Sequence, residues 1–367
     1  MGKTRNPFTP TFGIVPPYLA GRDRLLDAMG ASFDNGLGDP NLCTLITGPR
    51  GSGKTALLSC VGDEARERGW LVVDTVAETG MLEDILQHAE HEAAHLVGQE
   101  PRRTLSGVSV GELVGLQWET SGKETQNWRM RMEALLKKLA DRETGLLITV
   151  DEVRASVEEM VSLASAYQLF VRGGFNVALI MAGLPANVTN LVEDKRVSFL
   201  RRARQHTLGP IGAQDVSRAL RKTIERAGKR IESDALHVAV EASQGFPYMI
   251  QLVGYHVWLE SDGDVITKED ALLGTRGAAE DFRRGILDRT WGEMSAGDRA
   301  FACAMLPDEQ ASSLTDVARR MGKGTNYAST YKARLIRQGV IGERPGGAFG
   351  FDIPLMRDYI RSQTTKS

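Results

Sequence analysis

The run Gly48-Pro-Arg-Gly-Ser-Gly-Lys-Thr55 constrains the fold of this chain more than any other part of its sequence. Glycine lets a backbone turn so tightly that several N–H groups converge on one cluster of oxygens. An apolar run over residues 42–47 precedes the motif, and a helical pattern over residues 56–68 follows it. A strand, a glycine-rich turn and a helix N-terminus in this order are typical of a phosphate-binding loop.

We therefore predict that this loop binds the phosphates of a nucleotide. Lys54 is expected to reach the β- and γ-phosphates and to contribute to catalysis, and the Thr55 hydroxyl is expected to bind Mg²⁺. The predicted cofactors are ATP and Mg²⁺. The loop residues predicted to contact the nucleotide are Gly48, Pro49, Arg50, Gly51, Ser52, Gly53, Lys54 and Thr55.

An acidic pair, Asp151-Glu152, follows a second apolar run over residues 145–150. At the end of a buried strand, Asp151 is suited to contact Mg²⁺. Glu152 is placed to orient or deprotonate the water that attacks the γ-phosphate. We predict Asp151 as a metal residue and Glu152 as the catalytic base.

Strand and helix patterns alternate through the first half of the chain. Parallel strands need helical crossovers, so this alternation predicts an α/β fold with a parallel sheet and helices on both faces. The segment 106–122 is rich in glycine and serine and is not assigned. The predicted strands cover residues 42–47, 70–76, 145–150 and 176–182, and the predicted helices cover 56–68, 81–97, 128–142 and 157–173.

The pattern changes after residue 208. Three helices are predicted over residues 215–227, 233–243 and 247–260, followed by a polar, glycine-rich joint over 261–276. Two further helices, 314–321 and 326–338, flank a tight turn and predict a helix-turn-helix. A strand, a glycine-rich turn and a strand over residues 340–352 then predict a wing.

The second helix of this module carries polar residues outside its predicted core face. Asparagine and arginine can read base edges in the major groove, whereas lysine and threonine suit phosphates. The segment 291–367 has 11 Lys and Arg against 8 Asp and Glu. This balance favours duplex DNA, although winged helices also bind proteins. The candidate DNA-binding residues are Asn326, Tyr327, Thr330, Lys332, Arg334 and Arg337.

Four more motifs complete a resemblance to the AAA+ ATPases. The box Pro16-Pro-Tyr-Leu-Ala-Gly-Arg-Asp23 is similar to the one that precedes their phosphate loop, and Leu179-Ile-Met-Ala-Gly-Leu-Pro185 occupies the sensor-1 position. Phe199-Leu-Arg-Arg-Ala-Arg204 resembles their arginine-finger segment, and Gly245-Phe-Pro247 resembles the lid motif of STAND-like ATPases. The chain is most similar to the branch of the origin-recognition initiators, the archaeal-type ATPases and the STAND-type ATPases.

The patterns along the chain predict three domains: a nucleotide-binding domain over 1–208, a helical lid over 209–275 and a winged helix over 276–367. The resemblance covers about residues 11–260. It implies that Pro247 touches the nucleotide and that Phe12, Ile14 and Val15 either touch its base or pack in the core. One of Arg201, Arg202 and Arg204 would act as an arginine finger in a neighbouring subunit, so a homo-oligomer is implied.

Two departures from the family pattern predict slow ATP hydrolysis. The sensor-1 position, usually polar, holds Ala182 and Gly183, and the lid has Pro247 and Tyr248 where a sensor-2 arginine is usual. We therefore expect a nucleotide-dependent switch. In the first interpretation, the ATP state is coupled to duplex DNA binding through the winged helix. In the alternative interpretation, the protein is a STAND-like signalling ATPase whose winged helix is an autoinhibitory or protein-binding module.

The composition restricts the remaining possibilities. The net charge of −2 argues against a general polyanion binder, so any nucleic-acid surface is local. Cys43, Cys60 and Cys303 lack metal-ligand spacing and are expected to be buried thiols. No apolar run approaches the roughly 20 residues that span a bilayer, and no signal peptide is apparent. A cytoplasmic protein is expected.

Overall fold

A five-stranded parallel sheet forms the centre of the first half of the protein. The computed structural model describes residues 5–11, 19–97, 120–154 and 156–364. The strands lie in the order β2-β3-β4-β1-β5, and their apolar residues are buried because helices cover both faces. The predicted α/β fold is confirmed. The strands are β1 Cys43–Thr47, β2 Leu71–Val76, β3 Leu146–Asp151, β4 Val177–Gly183 and β5 Arg204–Thr207.

The helices of this domain divide between the two faces of the sheet. One hydrophobic cluster contains α1 and α2, and a second, larger cluster on the opposite face contains α3, α4, α5 and α6. The α-helices are α1 Asp23–Asn35, α2 Lys54–Glu67, α3 Met81–Val97, α4 Thr120–Ala140, α5 Glu158–Arg172 and α6 Pro185–Glu193, and 3₁₀ turns cover Pro40–Leu42 and Lys195–Arg202.

The lid contains four α-helices, one more than the sequence predicts. The predicted joint over residues 261–276 is wrong, because Lys268–Phe282 form a helix that Thr267 and Asp270 begin with a capping box. The predicted boundary at 275/276 therefore falls inside this helix. The elements are α7 Ala213–Arg226, β6 Arg230–Ile231, α8 Ser233–Ser243, α9 Pro247–Glu260, β7 Val265–Ile266 and α10 Lys268–Phe282.

The chain stays helical where it passes from the lid into the winged helix. A π-helical turn, Arg283–Leu287, joins α10 directly to the next helix, and π turns of this kind often mark functional sites. The predicted helix-turn-helix is α13 and α14, and the predicted wing is the antiparallel pair β8–β9. The elements are α11 Asp288–Glu293, α12 Ala296–Ala304, α13 Leu314–Arg320, α14 Thr325–Arg337, β8 Ile341–Glu343, a 3₁₀ turn Pro345–Gly347, β9 Phe349–Phe351 and α15 Met356–Thr364.

The lid and the winged helix share one hydrophobic core. A single cluster of buried side chains runs from Val216 in α7 through Phe282 and Leu287 to Ile360 in α15. The winged helix therefore does not have a core of its own. The division into three domains stays an interpretation of the sequence, and by packing the protein has two main units.

The N-terminal segment 5–11 packs on the lid, although it was assigned to the nucleotide domain. The Asn6 side chain donates to the Tyr255 carbonyl at 3.0 Å, and the Thr9 N–H donates to Gln251 Oε1 at 3.3 Å. The ring of buried Phe8 fills the space beside Gly254 in α9. The N-terminal segment is thus bound to the lid. The other end of the nucleotide domain, residue 208, continues directly into the lid.

Candidate nucleotide site and winged-helix surface

The loop between β1 and α2 has the backbone of a phosphate cradle. Gly51 and Gly53 have φ angles of +77° and +87°, which residues with a side chain rarely adopt. Helix α2 begins at Lys54, so the free N–H groups of its first turn open toward the loop. Ser52 is buried, and its hydroxyl has no hydrogen-bond partner among the residues that the structure describes. An orphaned buried hydroxyl in such a loop fits an oxygen-rich ligand.

Lys54 is the buried cation of this loop. Its side chain donates to the carbonyls of Gly48 and Pro49 at 3.0 and 2.9 Å, and the residue is 8% exposed. Burial lowers the pKa of its ammonium, and the nearby carboxylates of Asp151 and Glu152 partly oppose that effect. A phosphate would offer Lys54 the full negative charge that the two carbonyls lack.

Thr55 and the acidic pair converge at the carboxyl edge of the sheet. The Thr55 hydroxyl donates to Asp151 Oδ2 at 2.5 Å, and the Glu152 N–H donates to Asp151 Oδ1 at 2.8 Å. Glu152 has a φ of +52°, unusual for a residue other than glycine, and it is exposed. Strained backbone of this kind is found at functional sites. The predicted metal residues and the predicted base therefore lie together, and their roles stay predictions.

The sensor-1 region offers the nucleotide no polar side chain. The Val153 N–H donates to the Ala182 carbonyl at 2.9 Å, and a Cβ built on Gly183 would lie 3.2 Å from the Val153 Cβ. A larger residue at position 183 would therefore displace the chain after Glu152. Polar groups nearby come instead from Thr47 and Thr207, whose hydroxyls are 3.0 Å apart. The sequence analysis did not single out these threonines, which sit at ordinary strand ends.

The Gly-Phe-Pro motif brings the lid against the loop. A Cβ built on Gly245 would lie 2.3 Å from the Ile211 carbonyl oxygen, so a side chain does not fit there. The Phe246 ring occupies the space beside Gly51, and Pro247 lies against Gly53. The Tyr248 N–H also donates to the Gly51 carbonyl at 3.3 Å. Pro247 is thus at the loop, as predicted, and its contact with a nucleotide stays a prediction.

A small apolar cleft continues from Pro247 between the lid and the N-terminal box. Its volume of about 30 Å³ suits a water molecule and is too small for a base. Of its lining residues only Pro247 was predicted from the sequence, because the others come from separate segments. The predicted residues Phe12, Ile14 and Val15 lie outside the described part of the chain. The cleft is lined by Phe8, Leu19, Ala20, Ile211, Ala219, Leu220, Thr223, Pro247, Ile250 and Gln251.

The candidate finger arginines are exposed and distant from the loop of their own subunit. Arg204 pairs in register with Thr44 near the amino end of β1, whereas the loop follows its carboxyl end. The Arg201 guanidinium donates to the Val192 carbonyl at 3.5 Å, and Arg202 ends the preceding 3₁₀ turn. An arginine finger must be exposed to reach the nucleotide site of a neighbouring subunit, so all three arginines stay candidates.

Helix α14 divides the candidate DNA-binding residues into two groups. Asn326, Tyr327 and Thr330 are exposed on its first two turns. Lys332 instead lies over the Phe349 ring at 5.1 Å and 3.7 Å from Glu343, with its side chain 18% exposed. These contacts with the wing hold the Lys332 side chain, so a contact of Lys332 with DNA is less favourable.

Arg334 makes contacts within the winged helix, and its assignment to DNA stays a prediction. Its guanidinium donates to Asp298 Oδ1 and to the Ser295 hydroxyl, both at 2.7 Å. Asp298 is 1% exposed, and it caps the start of α12 through the Ser295 N–H and hydroxyl. Arg334 therefore neutralises a buried carboxylate. Arg337, one turn further, is exposed.

The winged helix contacts the outer side of the phosphate loop, which the sequence did not reveal. A Cβ built on Gly339, just after α14, would lie 3.2 Å from the Pro49 Cα. Arg50 Nη1 is 3.2 Å from Glu293 Oε2 at the end of α11. The Arg50 side chain thus pairs with the end of α11. Only the backbone of Arg50 remains a candidate for contact with the phosphates of the nucleotide.

Comparisons with known proteins agree with this architecture. Residues 18–171 match the family model described as "AAA ATPase domain", and residues 284–360 match one described as "Domain of unknown function (DUF8462)". The comparison with curated protein sequences gives no match. None of the helices that the structure describes is both long enough and apolar enough to cross a membrane.

Two solved structures share the fold over almost the whole chain. The ORC2 protein of Aeropyrum pernix, in ADPNP–ADP complexes, is 14% identical with a TM-score of 0.61, and 98% of each chain is covered. The Walker-type ATPase of Pyrococcus abyssi is 14% identical with a TM-score of 0.64, covering 94% of this chain and 96% of the other. At 14% identity, the similarity shows a shared fold and nothing further.

Proposed function

We propose, from the premise that residues 18–171 form an AAA ATPase domain, that the protein is a slow ATPase whose nucleotide state controls duplex DNA binding by its winged helix. The cradle of glycines, the buried Lys54 and the convergence of Thr55 with Asp151 support ATP as the ligand. The Aeropyrum pernix ORC2 protein, which shares the fold, was solved with ADPNP and ADP.

The residues of this site suit an in-line attack of water on the γ-phosphate. Lys54 would exchange its two carbonyl partners for phosphate oxygens, and Thr55 and Asp151 would hold Mg²⁺. Mg²⁺ neutralises charge that develops on the phosphates. The exposed Glu152 carboxylate would accept the proton of the water. Ala182 and Gly183 leave the sensor-1 position without a hydrogen-bond donor, which supports slow turnover.

The contact between the winged helix and the loop carries the proposed coupling. Pro49 touches Gly339, and Arg50 pairs with Glu293, so the loop that would bind phosphate is also a docking surface. A γ-phosphate that reorders the loop would change this surface and shift the winged helix. The exposed Asn326, Tyr327 and Thr330 would then meet a DNA groove.

Duplex DNA binding in defined nucleotide states tests the proposal. Fluorescence anisotropy would compare the full-length protein with ADP and with a non-hydrolysable ATP analogue at several salt concentrations. We expect tighter binding in the ATP state and a loss of affinity in the double variant Asn326→Ala, Thr330→Ala. The variant Gln214→Ala, which removes an exposed, uncharged side chain from α7 of the lid, is the control. Equal affinity in both states would contradict the coupling.

The docked winged helix also favours a second candidate function, a STAND-like signalling switch. In that case Gly339 and Glu293 would hold the ADP form closed, and a protein partner would release it. Absence of DNA binding in either nucleotide state, together with a change in oligomeric mass between ADP and the ATP analogue, would favour this candidate. Light scattering would measure that mass.

A further inference from the structure

A cleft of about 450 Å³ separates the nucleotide domain from the winged helix, beside the phosphate loop and outside it. Arg50 and helix α6 form one wall, and the last turn of α14 with Thr290 and Glu293 forms the other. Sites for small molecules are commonly clefts of roughly 300–1,000 Å³. We propose that this cleft is a second ligand site, which takes a phosphorylated molecule of nucleotide size.

The charge of the lining favours phosphate. Arg50, Arg334 and Arg337 reach the cleft, and Glu293 is the one acidic residue among the described residues that line it. The planar guanidinium group matches the oxygens of a phosphate with two parallel hydrogen bonds. Because Arg334 is paired with Asp298 and Arg50 with Glu293, the net positive charge of the cleft comes from Arg337, at the point where two units of the protein meet.

The three arginines are not equally available to a ligand. Arg334 is committed to the buried Asp298, and the Arg50–Glu293 pair is about half exposed on both sides, so little energy holds it. Arg337 is exposed, and within the described ranges no hydrogen bond or ion pair is found for its side chain. The dipole of α14 favours a cation at this position but provides no partner. Arg337 is therefore the main phosphate anchor of the proposed site.

Amide side chains on the other parts of the cleft suit a nucleobase. Asn187 and Asn190 lie three residues apart on α6 and so share a face, and Gln338 ends α14. An amide presents a donor beside an acceptor, the pattern that pairs with the edge of adenine. Each wall of the cleft thus offers an arginine and at least one amide, the two kinds of group that a phosphate and a base require.

A molecule in this cleft would bridge the two units. It would touch α6 of the nucleotide domain and α14 of the winged helix together, so its binding would stabilise the docked arrangement. The ligand would therefore act on the switch without occupying the phosphate loop. This role is separate from ATP hydrolysis and does not depend on it.

Calorimetric titration of the full-length protein with ADP tests the proposal by stoichiometry. We expect two equivalents in the wild type, one in Lys54→Ala, which disables the loop, and one in Arg337→Ala. The loss in Arg337→Ala should be at least about tenfold in affinity, the scale of a hydrogen bond to a charged group. Arg319→Ala, an exposed arginine of the same module outside the cleft, should keep two equivalents.

The variants separate this proposal from the proposed function. The equivalent lost in Lys54→Ala reports on the phosphate loop, whereas the one lost in Arg337→Ala reports on the cleft. A single equivalent in the wild type, or two equivalents in Arg337→Ala, would overturn the cleft site. In the Lys54→Ala chain, pyrophosphate should bind the cleft at least about tenfold more weakly than ADP, because it lacks the base that the amides contact. Equal affinities would also overturn the assignment.

Discussion

Lys54 shows how one side chain serves both the apo fold and a ligand. The buried ammonium is held by two neutral carbonyls, a pairing that leaves most of its charge uncompensated. Burial lowers its pKa for that reason. The residue is therefore prepared for an anion, and a phosphate is the anion that we expect there.

We expect Lys54→Ala to abolish ATP binding at the phosphate loop while the protein still folds. Alanine removes the charge that the loop directs at the phosphates, and it keeps the helical start of α2 because alanine has the highest helix propensity. Titration calorimetry with ATP provides the measurement. Lys137→Ala, on the exposed side of α4, is the control and should bind as the wild type does. Unchanged affinity in Lys54→Ala would remove the nucleotide assignment of the loop.

Glu152→Gln should keep ATP binding and lower hydrolysis by roughly 10²-fold or more, the scale of a general base. Glutamine preserves the shape of the side chain and removes its capacity to accept a proton. Phosphate release under saturating ATP gives the rate. Glu143→Gln is a matched control, because Glu143 also has a positive φ but lies at the opposite end of β3. Equal rates for Glu152→Gln and the wild type would exclude Glu152 as the base.

The loop and the acidic pair could be predicted because their signals are local. Each is a short motif directly after an apolar strand, and the structure brings Thr55 to Asp151 as expected. The contact of Arg334 with Asp298 could not be predicted, because Asp298 lies 36 residues earlier and only folding places them together. The same holds for Arg50 and Glu293, which are 243 residues apart.

The amino-terminal half of helix α14 has several exposed side chains, whereas side chains of its carboxyl-terminal half make contacts within the protein. Ala328 and Leu335 are buried in the shared core, and Arg334 neutralises Asp298. The exposed positions Asn326 and Thr330 lie on the first two turns, before Arg334 and Leu335. A partner that reads this helix therefore meets its first two turns, while the last turn faces the phosphate loop.

Arg334→Ala is expected to destabilise the protein, by about 1–3 kcal/mol, because it leaves the Asp298 carboxylate buried with an unsatisfied oxygen. Urea unfolding followed by circular dichroism measures the change. Arg319→Ala removes an arginine whose partner Asp316 is exposed, so a change within about 1 kcal/mol is expected there. Similar stabilities for the two variants would contradict the structural role of Arg334.

The missed helix α10 shows why glycines can mislead a sequence analysis. Gly274 belongs to the predicted joint over residues 261–276, but it lies inside the helix, as does Gly277. A Cβ built on Gly274 would be 2.5 Å from the Val257 nitrogen, and one on Gly277 would be 2.7 Å from His256 Nδ1. These glycines allow α10 to approach α9 closely. The sequence pattern alone does not distinguish close packing from a turn.

At the scale of the whole molecule, one exposed ion pair connects the loop to the winged helix. The side chains of Arg50 and Glu293 are 48% and 49% exposed, so their pairing is worth up to about 1 kcal/mol and weakens with salt. The contact of Gly339 with Pro49 is independent of charge. The docked arrangement therefore rests on a screened electrostatic contact and on a salt-insensitive packing contact.

Glu293→Gln should speed ADP release by at most about fivefold, the kinetic equivalent of such a pair. Stopped-flow fluorescence with a labelled ADP would measure the rate. Because salt screens the pair, the difference from the wild type should shrink at high ionic strength. Glu280→Gln, which breaks an ion pair with Arg284 on the same helical path, should leave the rate unchanged. A salt-independent difference would contradict the ion-pair explanation.

The hydrophobic cluster that spans the lid and the winged helix limits how such a protein can be recombined. A genetic exchange that replaced the winged helix alone would cut through α10 or the π turn and would expose Phe282 and Leu287. A crossover between β5 and α7 would keep the lid and the winged helix together, but it would separate the lid from the segment 5–11, whose Phe8 packs beside Gly254. The exchangeable unit is therefore the lid and the winged helix together with the segment 5–11, and a chimera that transfers all three should fold.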